Sequence, residues 1–253
     1  MSDTHILIEK PDGLHGVLVL RLNRPEKKNA ITRAMYAALT QAITAANSDD
    51  TIRAIAFLGT PGAFSAGNDM ADFMAFAMGG TLGQEVLDFL HALSTAQKPL
   101  VSGVDGLAIG IGTTIHLHCD MTFATPRSLF KTPFVDLALV PEAASSLLGP
   151  LVMGHQRAFA MFAAGEGFSA EDARDAGLIW KVVEPEELET ATLAAAASLA
   201  AKPPQALKIA RDLLRQGRPD VATRIAEEAA HFSAQLKSAE AMAAFQKFMA
   251  RKG

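Results

Sequence analysis

Gly59-Thr60-Pro61-Gly62-Ala63-Phe64-Ser65-Ala66-Gly67-Asn68-Asp69-Met70 is the stretch that decides how the chain is read. It follows an apolar run, Ile55 to Leu58, with the character of a buried strand, and precedes a helical segment from Ala71. Its three glycines and one proline make a turn whose backbone can come close to a ligand. The side chains are mostly small and poor in chemistry, so the loop offers backbone N–H groups. Such groups suit a phosphate, or a carbonyl becoming an oxyanion. The same residues also read as a plain strand-to-helix connector with Asn68 or Asp69 as N-cap.

A second glycine-rich turn, Asp105-Gly106-Leu107-Ala108-Ile109-Gly110-Ile111-Gly112, follows a short strand, Leu100 to Val104, and leads into a buried helix, Thr113 to Cys119. The unit of strand, glycine loop and helix thus occurs twice, about 45 residues apart. Two N–H-presenting turns at equivalent points of stacked units can converge on one atom. The second turn is not a dinucleotide fingerprint, because Ile115 stands where the third glycine is needed. Walker A and Gly-x-Ser-x-Gly patterns are absent.

Outward from these loops, Ile6 to Ile8 and Val17 to Leu22 read as a hairpin, Thr32 to Ala46 as a helix, Ile52 to Leu58 as a strand and Gly83 to Ala96 as a helix. Met121 to Ala124 and Leu178 to Val183 are strand-like. Ser169-Ala170-Glu171-Asp172 resembles a capping box opening a helix that ends at Gly177. Glu186 to Ala201, Pro204 to Gln216 and Val221 to Met249 read as helices with alanine-rich faces. No linker is long or polar enough to separate independent domains.

The 253 residues are 49% hydrophobic and 20% charged, an ordinary globular composition. A net charge of −4 argues against a nucleic-acid partner. The most apolar window, Leu100 to Cys119, holds Asp105, His116 and His118, which argues against a membrane span. One cysteine, Cys119, allows no intrachain disulfide. With no signal-peptide pattern and no Ser-Lys-Leu ending, the cytoplasm is the expected compartment.

Glu142 is the carboxylate to single out, with Asp136 as its rival. Pro141-Glu142 can simply open a helix, proline at the first position and glutamate complementing the dipole. Alternatively Glu142 is a general base in an apolar pocket, its pKa raised by desolvation. His116 and His118, two residues apart on a helix, point to different faces and are expected to pack rather than bind a shared metal. Lys27 and Lys28 read as solvated charges or as phosphate contacts. Phe73, Met74, Phe76 and Met78 suggest an adaptable apolar wall, or core.

Taken in order, Asn23-Arg24-Pro25 with Lys28-Asn29-Ala30, then Phe64-Ser65-Ala66-Gly67-Asn68-Asp69, Asp105-Gly106-Leu107-Ala108-Ile109-Gly110 and Cys119-Asp120 resemble the crotonase (enoyl-CoA hydratase/isomerase) superfamily. The resemblance runs through to Phe248-Met249-Ala250-Arg251-Lys252. It implies an α/β fold, a spiral of repeated ββα units with a C-terminal helical trimerisation region. Residues 1–195 would form the core with the acyl-CoA site and 196–253 the helical oligomerisation region, giving a homotrimer or a dimer of trimers. The ligand would be an acyl-CoA thioester, with coenzyme A as part of the substrate and no other cofactor or metal.

By the same resemblance the N–H groups of Asn68 and Ile111 form an oxyanion hole. Ser65, Ala66, Gly67, Asp69, Met70, Gly110 and Phe134 would line CoA or substrate, Lys28 and Ala30 would lie near its phosphates and adenine, and Phe248 and Arg251 would reach a neighbouring subunit's CoA. Hydratases of the superfamily carry two catalytic glutamates. This chain has Thr113-Thr114 at one position and Thr132-Pro133-Phe134 at the other. Pro141-Glu142-Ala143-Ala144-Ser145-Ser146 instead resembles the peroxisomal-type Δ3,Δ2-enoyl-CoA isomerases, in which a single glutamate stands at the position of Glu142. The resemblance therefore implies an isomerase. Hydration, thioester hydrolysis or acyl-CoA binding without catalysis are the alternatives.

Overall fold

The computed structural model describes residues 5–79, 83–215 and 220–250. Its main sheet has six strands in the order β1-β2-β3-β5-β7-β10: β1 (Ile6–Glu9), β2 (Val17–Leu22), β3 (Ala54–Leu58), β5 (Leu100–Val104), β7 (Met121–Ala124) and β10 (Lys181–Val182). Only the β1–β2 hairpin is antiparallel. Every residue of β3 and β5 is buried, as expected of parallel strands covered on both faces. Ile55 and Phe57 point to the larger core, under α1 (Arg33–Ser48) and further helices. Ala54, Ala56 and Leu58 face the other way, toward the alanine-rich α8 (Leu188–Ala200). There a Cβ on Gly103 would lie 2.5 Å from the Thr192 hydroxyl, so glycine lets this helix lie flat on the sheet.

A smaller sheet runs beside the first, in the order β4-β6-β8-β9: β4 (Ala63–Ser65), β6 (Leu107–Ile109), β8 (Leu129–Lys131) and β9 (Phe168–Ser169). Each turn of the spiral passes from the large sheet to the small one and then to helix. The first is β3, β4, α2 (Met70–Gly79) and α3 (Gln84–Ser94); the second is β5, β6 and α4 (Ile111–Thr114), continued by a 3-10 turn to Leu117. The third turn, β7 to β8, is the one the glycine pattern misses. Its connector is Thr125-Pro126-Arg127-Ser128, where hydroxyl hydrogen bonds replace glycine: Ser128 Oγ donates to Val104 O at 2.9 Å.

One carboxylate joins the three turns. Asp105 accepts from Gly62 N–H of the first at 2.7 Å, and from Thr125 Oγ1 (2.8 Å) and the Arg127 guanidinium (both contacts 2.6 Å) of the third. Burial alone would raise its pKa, but Arg127, Gly62 N–H and Thr125 outweigh burial and hold it below the usual carboxylate range.

The remaining helices are α5 (Ser145–Met153), α6 (His155–Phe162), α7 (Ala170–Asp175), α9 (Pro204–Arg215), α10 (Val221–Leu236) and α11 (Ala239–Ala250). The capping box at Ser169 is present, closed by Asp172. Three expectations need correction. The single helix over 221–249 is two, because Ser238 Oγ accepts from Ala241 N–H and caps a new start at α11. The boundary at 195/196 falls inside α8, whose Ala196 and Ala200 pack on the sheet. The buried helix expected over 113–119 is the short α4 and its 3-10 turn. Arg211 of α9 fastens the C-terminal helices to the core through Asp120 (2.8 Å) and Ala96 O (2.6 Å). No helix among the described residues is long and apolar enough to cross a membrane.

Asp105→Ala should lower unfolding free energy by about 1–3 kcal/mol, since it leaves the Gly62 N–H without its acceptor. Arg127→Ala, at an exposed and solvent-screened side chain, should cost much less. Urea denaturation of the two variants checks the difference. Equal losses would show that the carboxylate matters only as Arg127's partner.

Candidate active site

The two glycine loops meet backbone to backbone. A Cβ on Gly67 would lie 2.9 Å from Ile109 O, and one on Gly112 would lie 2.8 Å from Ser65 O. Gly67 has φ of 89° and Gly110 φ of 57°, conformations that side-chain-bearing residues rarely adopt. Around Asn68 the chain pairs with Ile31: Ile31 N–H donates to Gly67 O and Asp69 N–H to Ile31 O. The Asn68 N–H between them takes no part in this pairing. Ile111 is the first residue of α4, where a backbone N–H has no intrahelical acceptor. Asn68 and Ile111 line one cavity of about 820 Å³.

Glu142 enters the same cavity, and it is 6% exposed. Thr114 Oγ1 donates to its Oε1 at 2.7 Å. Burial pushes the Glu142 carboxyl up to about 8, with the Thr114 hydrogen bond opposing and the charge of Glu228 adding. Pro141-Glu142 does not open a helix, which corrects that reading. Ala143 and Ala144 intervene in the left-handed region and α5 starts at Ser145. Tyr36, 1% exposed, donates from its hydroxyl to Asn68 Oδ1 at 2.5 Å and so ties α1 to the first loop.

Of the other residues singled out, Ala66, Gly67, Met70, Gly110 and Phe134 line this cavity, as does Asp136, which is exposed. Ser65 does not: it is fully buried, and its hydroxyl donates to Asn29 O (2.9 Å) and accepts from Gly67 N–H (3.1 Å), shaping the loop from behind. Asp69 is occupied by Arg24 (2.7 Å) and by the N–H groups of Ala71 and Asp72, so it caps α2. Lys28 is exposed and Ala30 half-buried, both away from the cavity lining. Arg251 and the side chains of Phe76, Met78 and Phe248 lie outside the described residues.

His116 and His118 pack in the core. His116 Nδ1 is 3.0 Å from Ser102 Oγ, its ring lies near Phe64 and Phe130, and burial lowers its pKa to about 3. His118 Nε2 is 2.8 Å from Ala143 O. Cys119 is half-buried.

The family model for enoyl-CoA hydratase/isomerase matches residues 12–252. The chain belongs to the enoyl-CoA hydratase/isomerase family. It is 34% identical to enoyl-CoA delta isomerase 2 of Rattus norvegicus over 94% of its own length, but it spans only 62% of that relative. Enoyl-CoA delta isomerase 3, peroxisomal, of Mus musculus is 31% identical, with 98% of this chain and 78% of the relative covered. A 2,3-dehydroadipyl-CoA hydratase of Escherichia coli is 30% identical over 80% of this chain and 79% of its own. A solved enoyl-CoA hydratase/isomerase from Pseudoalteromonas atlantica T6c superposes with a TM-score of 0.91 at 37% identity, covering 98% of both chains.

In this family member the C-terminal helices also build the cavity. Phe232 of α10 and Ala243, Ala244 and Lys247 of α11 line it, and Phe73 of α2 meets Phe232 and Phe245 edge-on at 6.2 and 5.4 Å. Phe73 was singled out as a wall residue and lines the cavity; the α10 and α11 contributors were missed, because nothing in a helical periodicity says which helix folds back. Thr114 had a signal, since it stands where a carboxylate was expected.

The Glu142 value near 8 lies above the ordinary 4.5, so its protonated form is the one the fold favours. The associated stability is complete below about pH 4.5 and is lost as pH rises through about 8. Glu142→Gln keeps an oxygen for Thr114 and carries no charge. It should stabilise the protein at pH 9 by on the order of 1–4 kcal/mol, with the gain vanishing near pH 4.5. Thermal melts at the two pH values measure this, and a gain of equal size at both would rule out a desolvated carboxyl.

Proposed function

We propose that this acyl-CoA-processing enzyme is a Δ3-to-Δ2 enoyl-CoA isomerase that uses Glu142 as its single acid and base. The observation that carries the reading is the placement of carboxylates. Glu142 is buried in the cavity with the two loops, while by the resemblance Thr114 and Phe134 stand where hydratases of the family keep theirs. Adding water needs one group to activate it and another to protonate carbon. Moving a double bond needs only a proton taken and returned. Glu142 removes a proton from C2 of a 3-enoyl-CoA, and electrons flow into the thioester carbonyl. The Asn68 and Ile111 N–H groups stabilise the dienolate oxygen. The same carboxyl delivers the proton to C4, giving the 2-trans-enoyl-CoA. Nothing is oxidised, reduced or consumed, so this chemistry calls for no metal or redox cofactor.

A pKa near 8 suits the task, because a base that must also act as acid works best with a pKa near the working pH. Asp136, at the exposed side of the cavity, favours a second reading. With Glu142 it would give a pair of carboxylates for hydration of 2-enoyl-CoA. We also infer self-association as a trimer or a dimer of trimers. The exposure of Ile209 (55%), Leu213 (58%) and Leu214 (85%) on α9 supports it, and light scattering measures it.

Glu142→Gln should lower conversion of a 3-enoyl-CoA by at least about 10³-fold while leaving acyl-CoA binding intact. Asp136→Asn should leave it within about threefold. Wild-type turnover in Glu142→Gln, or 3-hydroxyacyl-CoA as the main product from 2-enoyl-CoA, would sink the isomerase reading. Thr114→Val removes a hydrogen bond that favours the ionised base. The acid limb of kcat/KM should then move to higher pH and activity at pH 7 fall about tenfold. An unmoved limb would separate Thr114 from the base.

A further inference from the structure

The segment that carries Glu142 is held from outside the cavity. Ala143 and Ala144 follow it with φ of 62° and 55°, a strained region that residues with a Cβ rarely enter. Helix α5 then begins behind Ala144, which has no side chain able to accept from its first N–H groups. One residue answers both deficits, 84 positions beyond Ala144. Glu228 of α10, 5% exposed, accepts from Ala144 N–H at 2.6 Å, Ser146 N–H at 2.9 Å and Ser146 Oγ at 2.5 Å. All three partners donate, which suits an acceptor-only carboxylate and opposes the burial that raises its pKa. From the other side His118 donates through Nε2 to Ala143 O.

Capping alone does not account for this arrangement. A serine or aspartate at position 144 would cap α5 locally, from ordinary extended backbone. The chain instead keeps two left-handed alanines and imports a buried carboxylate, a group expensive to desolvate. What the arrangement delivers is a fixed bend directly after Glu142.

We propose that Glu228 is a positioning residue for the Glu142 base, holding the Ala143–Ala144 bend and with it the direction in which the Glu142 carboxylate enters the cavity. This rests on the reading of Glu142 as the base. Charge adds a second consequence, because the negative Glu228 opposes ionisation of Glu142, behind burial. The other titratable or charged groups around Glu142 are Tyr36 of α1, His118 behind Ala143, Arg224 beside Ser146, and Lys131, Asp136 and Lys247 in the cavity wall. Arg224 is itself paired with Glu227 at 3.1 Å.

The test compares Glu228→Gln and Glu228→Asp in the full-length enzyme by C2-proton exchange of a saturated acyl-CoA in deuterated water, by 3-enoyl-CoA kinetics across pH, and by thermal melting. Glutamine presents an N–H group to one of the backbone donors and removes the charge. It should lower exchange and kcat by about 10–100-fold with KM within about twofold, and move the acid limb to lower pH. Aspartate keeps the charge but shortens the reach, so kcat should fall while the limb stays. If glutamine prevents folding, aspartate together with Ser146→Ala carries the rate comparison. Exchange and kcat within about twofold of wild type in folded variants, or a lower melting temperature with an unmoved limb in Glu228→Gln, would overturn the proposal. Wild-type exchange without isomerisation would reject the isomerase reading alone, and the variants' exchange rates would still decide the role of Glu228. No exchange in wild type would overturn both.

Discussion

Two backbones touch at the centre of this molecule with no side chain between them. Gly67 lies against Ile109 O and Gly112 against Ser65 O, and a methyl group at either glycine would have to displace a main-chain atom. That contact lets β4 and β6 run side by side while the chain just beyond each strand turns toward one cavity. It also explains why the loops are so poor in functional side chains. Side chains on these stretches are either absent or turned to construction, as with Ser65 behind the loop and Asp69 on the α2 N-terminus. On the proposed reading the contact sets the two oxyanion donors, the N–H groups of Asn68 and Ile111. It leaves the choice of reaction to residues that reach the cavity from elsewhere.

Those residues arrive from three directions, and each brings a different control over Glu142. The helix that follows the second loop supplies Thr114, whose hydroxyl favours the ionised form. The C-terminal α10 supplies Glu228, whose charge favours the neutral form. Burial is the largest influence, in a cavity whose wall includes Phe73 of α2, Phe232 of α10 and Ala243 and Ala244 of α11. Residues 221–250 therefore belong to the site as much as the loops do.

What could be read from the chain follows from what is local. Buried parallel strands appear as apolar runs, unbroken in β3 and interrupted only by Ser102 and Gly103 in β5 and by Thr122 in β7, so all three were legible. The glycine loops were legible because positive φ and close approach leave a compositional trace. The third turn of the spiral left none, since Thr125 and Ser128 solve the same geometric problem with hydrogen bonds. Pro141-Glu142 was ambiguous for a physical reason: proline followed by glutamate satisfies a helix start, and only the long-range bonds to Ala143 and Ala144 prevent one there. Glu228 sits in a helix of regular periodicity, where a buried carboxylate looks like any glutamate on a solvated face. The break at Ser238 was hidden likewise, because apolar spacing continues across it.

The energetics of a buried carboxylate bear on what it can catalyse. A solvated glutamate is a weak base at neutral pH and a poor acid there, because its pKa is far below the pH on one count and its proton is already gone on the other. Raised to about 8, the same group takes a proton more willingly and still holds it long enough to give it back. A two-carboxylate site can divide those duties between an acid and a base tuned apart. A single base that moves a proton, as proposed for Glu142, must perform both with the same oxygen atoms, so its pKa has to be a compromise, and its orientation has to serve two carbons of the substrate in succession. The fold meets the first demand by burial, which destabilises the ionised state. On the proposed reading it meets the second through Glu228, which restrains the backbone on the far side of Glu142 from a helix that also lends Phe232 to the cavity wall.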